Sequence, residues 1–246
     1  MKEFWVFGAT KSVGIAITRK LAESNRVITF SRKKIQSSEN IHQIIVDFND
    51  AEKVNSVIQQ QLTKSLPDGV IFCQRYRPDS ENALSNIING CTVELGPVIS
   101  FVEHIRTISH EKQISIVLLT SSAGKLIHVD LPLYYHILKS NTICINEYIS
   151  VHERQNKIRI NCICLGEFLK YNLNEYKESE IAKFDIIRQY SFDAQIITMS
   201  DISGLIYFLV SSASSSITGQ VLFMEGNLIN IAQESLLRHN INTLLK

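Results

Sequence analysis

Strand-length apolar runs alternate with helical patterns along the whole chain, and this alternation limits the fold more than any other feature. Phe4–Phe7, Arg26–Phe30, Gln43–Phe48, Gly69–Cys73, Ile114–Thr120, Ile158–Cys164 and Gln220–Met224 read as seven strands. A helical pattern carrying Ile15, Ile17 and Leu21 follows the first strand. Further helices read over Ala51–Lys64, with Val54, Val57 and Ile58 facing inward, over Ile87–Ile108 and over Tyr134–Arg154. One more runs from the Ser200–Asp201 N-cap pair to Val210. Strands that are apolar on both faces need cover on both faces, which is the parallel, doubly wound α/β arrangement. Right-handed crossovers then bring ligand to the carboxyl ends of the strands, where the strand order reverses. One domain is expected over residues 1–246, because no linker, repeat or low-complexity tract divides them.

The balance of charges narrows the function classes. A formal net charge of +1 gives no whole-molecule field toward nucleic acid or membrane, so neither is expected as a partner. The longest apolar runs, such as Ile114–Leu119, are far too short to cross a bilayer. A structural motif begins within the first seven residues, leaving no room for a signal peptide, and a cytoplasmic location is the expectation. The cysteines Cys73, Cys91, Cys144, Cys162 and Cys164 show neither a paired framework nor metal-type spacing, so no metal is expected. Cys162 and Cys164 fall on one face of a strand, as buried reduced thiols.

Three groups of residues carry chemistry. Gly8-Ala9-Thr10-Lys11-Ser12-Val13-Gly14 joins the first strand to the first helix. Glycine at such a turn lets backbone approach a pyrophosphate while the helix N-terminus faces its charge. Tyr135 and Lys139 stand four apart on one helix face. A phenol is a poor base near neutrality, and a cation one turn away would favour its phenolate. Ser121-Ser122-Ala123-Gly124 closes the fifth strand, 14 residues before Tyr135 when counted from Ser121.

In this order, and with Ile160-Asn161, Gly166, Thr218-Gly219-Gln220 and Glu225-Gly226 downstream, the sequence resembles the short-chain dehydrogenase/reductase family from Phe4 to Asn227. By length and layout its nearest broad group is the reductases of 3-oxoacyl thioesters. The resemblance implies a Rossmann-type fold and a nicotinamide cofactor in hydride exchange with a carbonyl or alcohol carbon. Gly8 and Gly14 match the first and last glycines of the nucleotide loop, with Thr10, Lys11, Ser12 and Val13 between them. Asp47, followed by Phe48, matches the acidic residue that contacts adenine. Tyr135 would be the proton donor, and Lys139 would bind the nicotinamide ribose. A serine would hold the substrate oxygen: Ser121 fits the family's Ser-x-x-Gly pattern, Ser122 the commoner spacing to tyrosine.

The end of the second strand decides the cofactor. An NAD enzyme keeps a carboxylate there for the ribose hydroxyls, whereas this chain has Ser31-Arg32-Lys33-Lys34, which suits the 2′-phosphate of NADP(H).

Several family positions are filled differently. Ser12 stands for the middle glycine of the loop. Cys73-Gln74-Arg75-Tyr76 stands for Asn-Asn-Ala-Gly beside the ribose, Glu94 for the asparagine of the catalytic tetrad, Leu165 for a proline and Lys170 for a threonine. Three readings follow: an NADP(H)-dependent carbonyl reductase, a degenerate member that binds nucleotide or a partner protein without turnover, or redox chemistry on a cofactor other than NADP(H). The substrate would be a small carbonyl compound, free or held on a carrier protein.

Residues 168–198 are expected as the substrate lid, with Tyr171, Tyr176, Phe184, Tyr190 and Phe192 available to line a pocket. Lys112, Arg154, Lys157 and Arg159 make a scattered basic surface that an acidic carrier could use. The two long helices flanking the fifth strand carry extra apolar residues: Val98, Phe101, Val102 and Ile105 on one, Ile143, Ile145, Tyr148 and Ile149 on the other. These point to a homo-oligomer, a dimer or tetramer. The extension over residues 228–246 places Ile229, Ala232, Leu236, Leu237, Ile241, Leu244 and Leu245 at helical spacing, as a helix that needs a surface to lie on.

Overall fold

The computed structural model describes residues 1–36, 38–78, 80–236 and 238. Seven strands form one parallel sheet: β1 (Glu3–Phe7), β2 (Arg26–Ser31), β3 (Ile41–Ile45), β4 (Gly69–Phe72), β5 (Ile114–Ser121), β6 (Ile158–Leu165) and β7 (Val221–Met224). Their order is β3-β2-β1-β4-β5-β6-β7, so the winding reverses between β1 and β4. The helices are α1 (Ser12–Ala22), α2 (Ala51–Leu62), α3 (Ala83–Glu94), α4 (Gly96–Ile105), α5 (Leu133–His152), α6 (Glu178–Tyr190) and α7 (Met199–Val210). The sheet is a doubly wound, Rossmann-type α/β sheet with one core on each face. One core joins the sheet to α2, α4 and α5 through residues such as Val54, Phe101 and Leu138. The other joins it to α1 and α7 through Ile17, Leu21, Ile202 and Ile206.

Aromatic stacking fixes the centre of the sheet. Phe7 stacks on Phe30 at 4.2 Å and on Phe72 at 4.7 Å, and these are its direct neighbours on β2 and β4. Such pairs contribute about 0.5–1.5 kcal/mol each beyond area burial. They hold together the carboxyl ends of the strands at the reversal, where a ligand would lie.

Three elements differ from the sequence expectation. Strand β3 lies at Ile41–Ile45, not Gln43–Phe48, because β2 ends at Ser31 and its partner in the ladder is Ile45. Val46 and Phe48 stay buried beyond the strand, with Phe48 packed 6.2 Å from Phe7, so their apolar character reports core packing and not ladder. The expected helix Ile87–Ile108 is two helices. Pro97, which has no N–H to donate, sits in the first turn of α4, and α3 ends at Glu94. Helix α7 is capped by Thr198 and not by the Ser200–Asp201 pair. The Thr198 hydroxyl accepts from Asp201 N, and the Asp201 carboxylate accepts from Thr198 N at 2.8 Å.

Asn161 works as a latch: its Nδ2 donates to Ile217 O at 2.9 Å and its Oδ1 accepts from Gln220 N at 3.1 Å, tying β6 to the turn before β7. Cys162 and Cys164 are buried, as expected for that face, whereas Cys144 is exposed and all the cysteines are free. Among the described residues no helix is long and apolar enough to cross a membrane. Of the expected C-terminal stripe, Leu228–Asn230 forms a 3-10 turn, while Leu237, Ile241, Leu244 and Leu245 lie outside the described residues.

Candidate active site

The first turn, after β1, is built by contacts that exclude a side chain. Gly8 has φ +84°, and a Cβ there would lie 2.6 Å from Gln74 N. At Gly14 a Cβ would lie 2.3 Å from Gly8 O. The helix N-terminus is therefore pressed onto the turn, the close approach a pyrophosphate cradle needs. Ser12, first in α1, carries φ +50°, a left-handed conformation that glycine adopts freely and serine only with strain.

The second turn, after β2, is braced. The Ser31 hydroxyl donates to Lys33 O at 3.0 Å and accepts from Gln43 Nε2 at 2.9 Å, which leaves Arg32, Lys33 and Lys34 exposed at the strand end. Asp47 is exposed after β3, and its Oδ1 accepts from Asn49 N at 3.0 Å.

The third part joins residues far apart in sequence. The Lys139 ammonium donates to Glu94 Oε2 at 2.6 Å, with both side chains 5% exposed. Tyr76 N donates to Glu94 Oε1 at 3.0 Å, and Gln74 Nε2 donates to Glu94 O at 2.9 Å. The Tyr76 hydroxyl donates to Asn86 Oδ1 at 3.0 Å, and its ring meets Tyr134 edge-on at 6.2 Å. Glu94 thus gathers three groups from two other elements, and a carboxylate buried this deeply requires such partners. These contacts carry three of the sequence departures, at Gln74, Tyr76 and Glu94. Nothing in the local sequence ties Gln74 or Lys139 to Glu94, since the three lie on separate elements.

Around the chemistry itself, Tyr135 is half-buried at the start of α5. The Arg75 guanidinium lies 5.0 Å and the Lys139 ammonium 5.1 Å from its ring centroid. Among the described residues the Tyr135 hydroxyl takes part in no hydrogen bond. Its neighbour Tyr134 differs: burial raises that phenol above the ordinary tyrosine range, with Arg75 pulling the other way. Helix α5 is fastened to the end of β5 by Thr120 Oγ1, which donates to Lys139 O at 3.0 Å. Gly124 approaches the same carbonyl so closely that a Cβ would lie 2.7 Å from it.

The two candidate serines part company here. Ser122 is buried and shares a 3.1 Å hydrogen bond with His128 Nε2. Among the described residues Ser121 Oγ only accepts, from Ala123 N at 3.3 Å, which leaves its O–H free to donate. His136 holds the loop from below, with Nδ1 2.9 Å from Ala123 O and Nε2 3.2 Å from His128 O.

Other expected residues fall elsewhere. In the segment expected as a lid, Phe184 is buried and packs edge-on to Tyr176 at 5.1 Å, whereas Tyr171 and Phe192 are exposed. Leu165 is buried in the core shared with α7, and Gly166 meets Glu225, to whose Cβ a Gly166 Cβ would lie 2.4 Å. Of the basic quartet Arg154 is exposed, and the other three are engaged. Arg159 is buried and donates to Ser211 O, Lys112 pairs with Asp68 and Lys157 with Glu111. The quartet also lies at the starts of β5 and β6, the end of the sheet away from Tyr135. Val98, Phe101, Val102 and Ile105 are buried inside the subunit. The large apolar residues left exposed on α3, α4 and α5 are Leu84, Ile88, Ile99, Leu133, Tyr148 and Val151.

The dinucleotide can be tested against these residues. Gln74 and Tyr76, bulky where the family is small, turn their side chains inward to Glu94 O and Asn86, so they do not fill the crossing between β1 and β4. With the glycine turn kept and the basic turn after β2 free of ion pairs among the described residues, the residues present fit a nicotinamide dinucleotide.

Comparison with known proteins agrees with this layout. The family described as enoyl-(acyl carrier protein) reductase matches residues 79–227. No curated protein matches the chain. Among solved structures, a short chain dehydrogenase family protein from Francisella tularensis subsp. tularensis SCHU S4 is similar at 18% identity and TM-score 0.78, covering 94% of this chain and 100% of its own. A 4-hydroxyisoleucine dehydrogenase complexed with NADH is similar at 21% identity and TM-score 0.77, covering 92% and 98%. A short chain dehydrogenase from Leptospira borgpetersenii serovar Hardjo-bovis with bound NAD+ is similar at 20% identity and TM-score 0.76, covering 92% and 91%.

Proposed function

Because the chain belongs to the short-chain dehydrogenase/reductase family of oxidoreductases, we propose that it is an NADP(H)-dependent reductase that converts a ketone or aldehyde to an alcohol. The observation that carries this reading is Tyr135: a half-buried phenol whose hydroxyl is unengaged among the described residues, on one helix face with Lys139, whose ammonium lies 5.1 Å from its ring centroid. Tyr135 donates the proton that the carbonyl oxygen takes up, and Ser121 donates a hydrogen bond to the same oxygen and orients it. Lys139, steadied by Glu94, offers its remaining donors to the nicotinamide ribose. Gly8, Thr10, Lys11, Ser12, Val13 and Gly14 hold the pyrophosphate, and Asp47 and Phe48 flank the adenine. Ser31 braces the turn from which Arg32 meets the 2′-phosphate. The nicotinamide, when bound, supplies the hydride.

A second reading rests on one observation: the Lys139 charge is already matched by Glu94. A member that binds nucleotide or a partner protein without turnover would tolerate that pairing. Calorimetric titration with NADPH and NADH, followed by turnover over a panel of ketones and aldehydes, separates the readings. Tighter NADPH binding with turnover supports the reductase. Binding without turnover of any carbonyl supports the second reading, and binding of neither nucleotide removes the cofactor from both. The proposal includes assembly as a homodimer or homotetramer, through the exposed apolar residues of α3, α4 and α5.

A further inference from the structure

We infer that Arg75 recognises an anionic group on the substrate, so that the compound reduced is a short oxo acid with its carboxylate close to the ketone. The inference rests on the reductase reading, since it takes Tyr135 to be where the carbonyl oxygen binds. Two cations flank the Tyr135 ring at nearly equal distance, Arg75 at 5.0 Å and Lys139 at 5.1 Å, and their circumstances are opposite. Lys139 is buried and its charge is matched by Glu94 at 2.6 Å. Arg75 is exposed, and among the described residues it takes part in no hydrogen bond or ion pair.

Its aim is set by neighbours on both sides. Gln74 is fixed inward by its bond to the Glu94 carbonyl, and Tyr76 by its backbone bond to the Glu94 carboxylate and its hydroxyl bond to Asn86. The residue between two inward anchors is left facing out over Tyr135. A guanidinium presents a planar fork of donors that matches the two oxygens of a carboxylate, and stacking on an aromatic ring orders that fork before any ligand arrives. A ketone held at the Tyr135 hydroxyl therefore meets Arg75 within a few ångströms. The group that best completes the site there is a carboxylate, as in a 2-oxo or 3-oxo acid. A neutral ketone would leave the exposed guanidinium to water.

The same donors could instead take a phosphate of the dinucleotide, and the test separates the two. Calorimetry reads the binding of 2-oxo and 3-oxo acids and of their methyl esters to the full chain, with and without NADPH, in the parent, Arg75→Gln and Arg75→Lys. At least one acid should bind about tenfold or more tightly than its ester, as a charge-assisted pair allows. That preference should vanish in Arg75→Gln and return in part in Arg75→Lys. Equal binding of acid and ester in the parent, binding of neither, or a preference that survives Arg75→Gln overturns the inference. So does a loss of NADPH and NADH affinity in Arg75→Gln with the acid preference unchanged, which would assign the guanidinium to the nucleotide. An Arg75-dependent preference without turnover would remove the reductase and leave the carboxylate site standing.

Discussion

Ser122 Oγ and His128 Nε2 lie 3.1 Å apart, and this one hydrogen bond separates two serines that are adjacent in sequence. Ser122 is engaged and buried, while the Ser121 O–H, at the end of β5, donates to nothing among the described residues. Ser121→Ala is expected to lower kcat by about 10²-fold or more, the usual loss for a donor to a developing oxyanion. Ser122→Ala should change kcat far less, and steady-state kinetics of the two variants would show the order. The reverse order would make Ser122 the substrate-binding serine.

For the proton donor, Tyr135→Phe removes only a hydroxyl that has no other partner among the described residues. Turnover should fall by about 10²–10⁴-fold while nucleotide binding stays nearly intact. Tyr134→Phe should leave turnover largely unchanged, because that phenol packs against Tyr76 and burial keeps it protonated. Activity retained in Tyr135→Phe would end the assignment.

Cofactor choice is read at Arg32. NADPH should bind more tightly than NADH, and Arg32→Ala should erase most of the difference, worth about 1.5–3 kcal/mol for a charge-assisted contact. Ser31→Ala should loosen the same preference more mildly, because the serine braces the turn without itself carrying charge. Equal affinities in the parent would remove NADP(H) from the reading.

Stability should respond to acid through Glu153. Burial opposes its charge, but hydrogen bonds from Arg106 and Asn156 outweigh that cost and hold the carboxyl below the usual carboxylate range. A depressed folded value contributes stability that is present above the unfolded value, about 4.3, and is lost as pH falls through the folded one. Urea midpoints should therefore drop below about pH 4 more steeply in the parent than in Glu153→Gln. Parallel curves would show that the pair adds nothing.

Much of this could be read from residue order because the fold is periodic and the glycine turns are local. The seven apolar runs locate seven strands, and the spacing of Tyr135 and Lys139 on a helix needs no partner to be seen. Strand β3 was misplaced because Val46 and Phe48 bury themselves just past the ladder, and an apolar residue in a core looks the same as one in a strand. The break at Leu95 was missed because periodic apolar residues continue on both sides of Pro97. In the site, the meeting of Gln74, Glu94 and Lys139 depends on how β4, α3 and α5 pack together, and no local pattern encodes it.

That meeting has a consequence for how the chain could have changed over generations. Glu94 is tolerable only with Lys139 and the backbone of Tyr76 to receive it, and Gln74 is satisfied by the carbonyl of the same residue. Replacing Glu94 alone with the family's asparagine would strand the Lys139 charge in a space that is 5% open, and breaking a buried pair costs about 3–5 kcal/mol. A change back toward the family's asparagine would therefore require Lys139, Gln74 and Tyr76 to settle around it. These residues are expected to change together, so that a close relative should carry all of them or none.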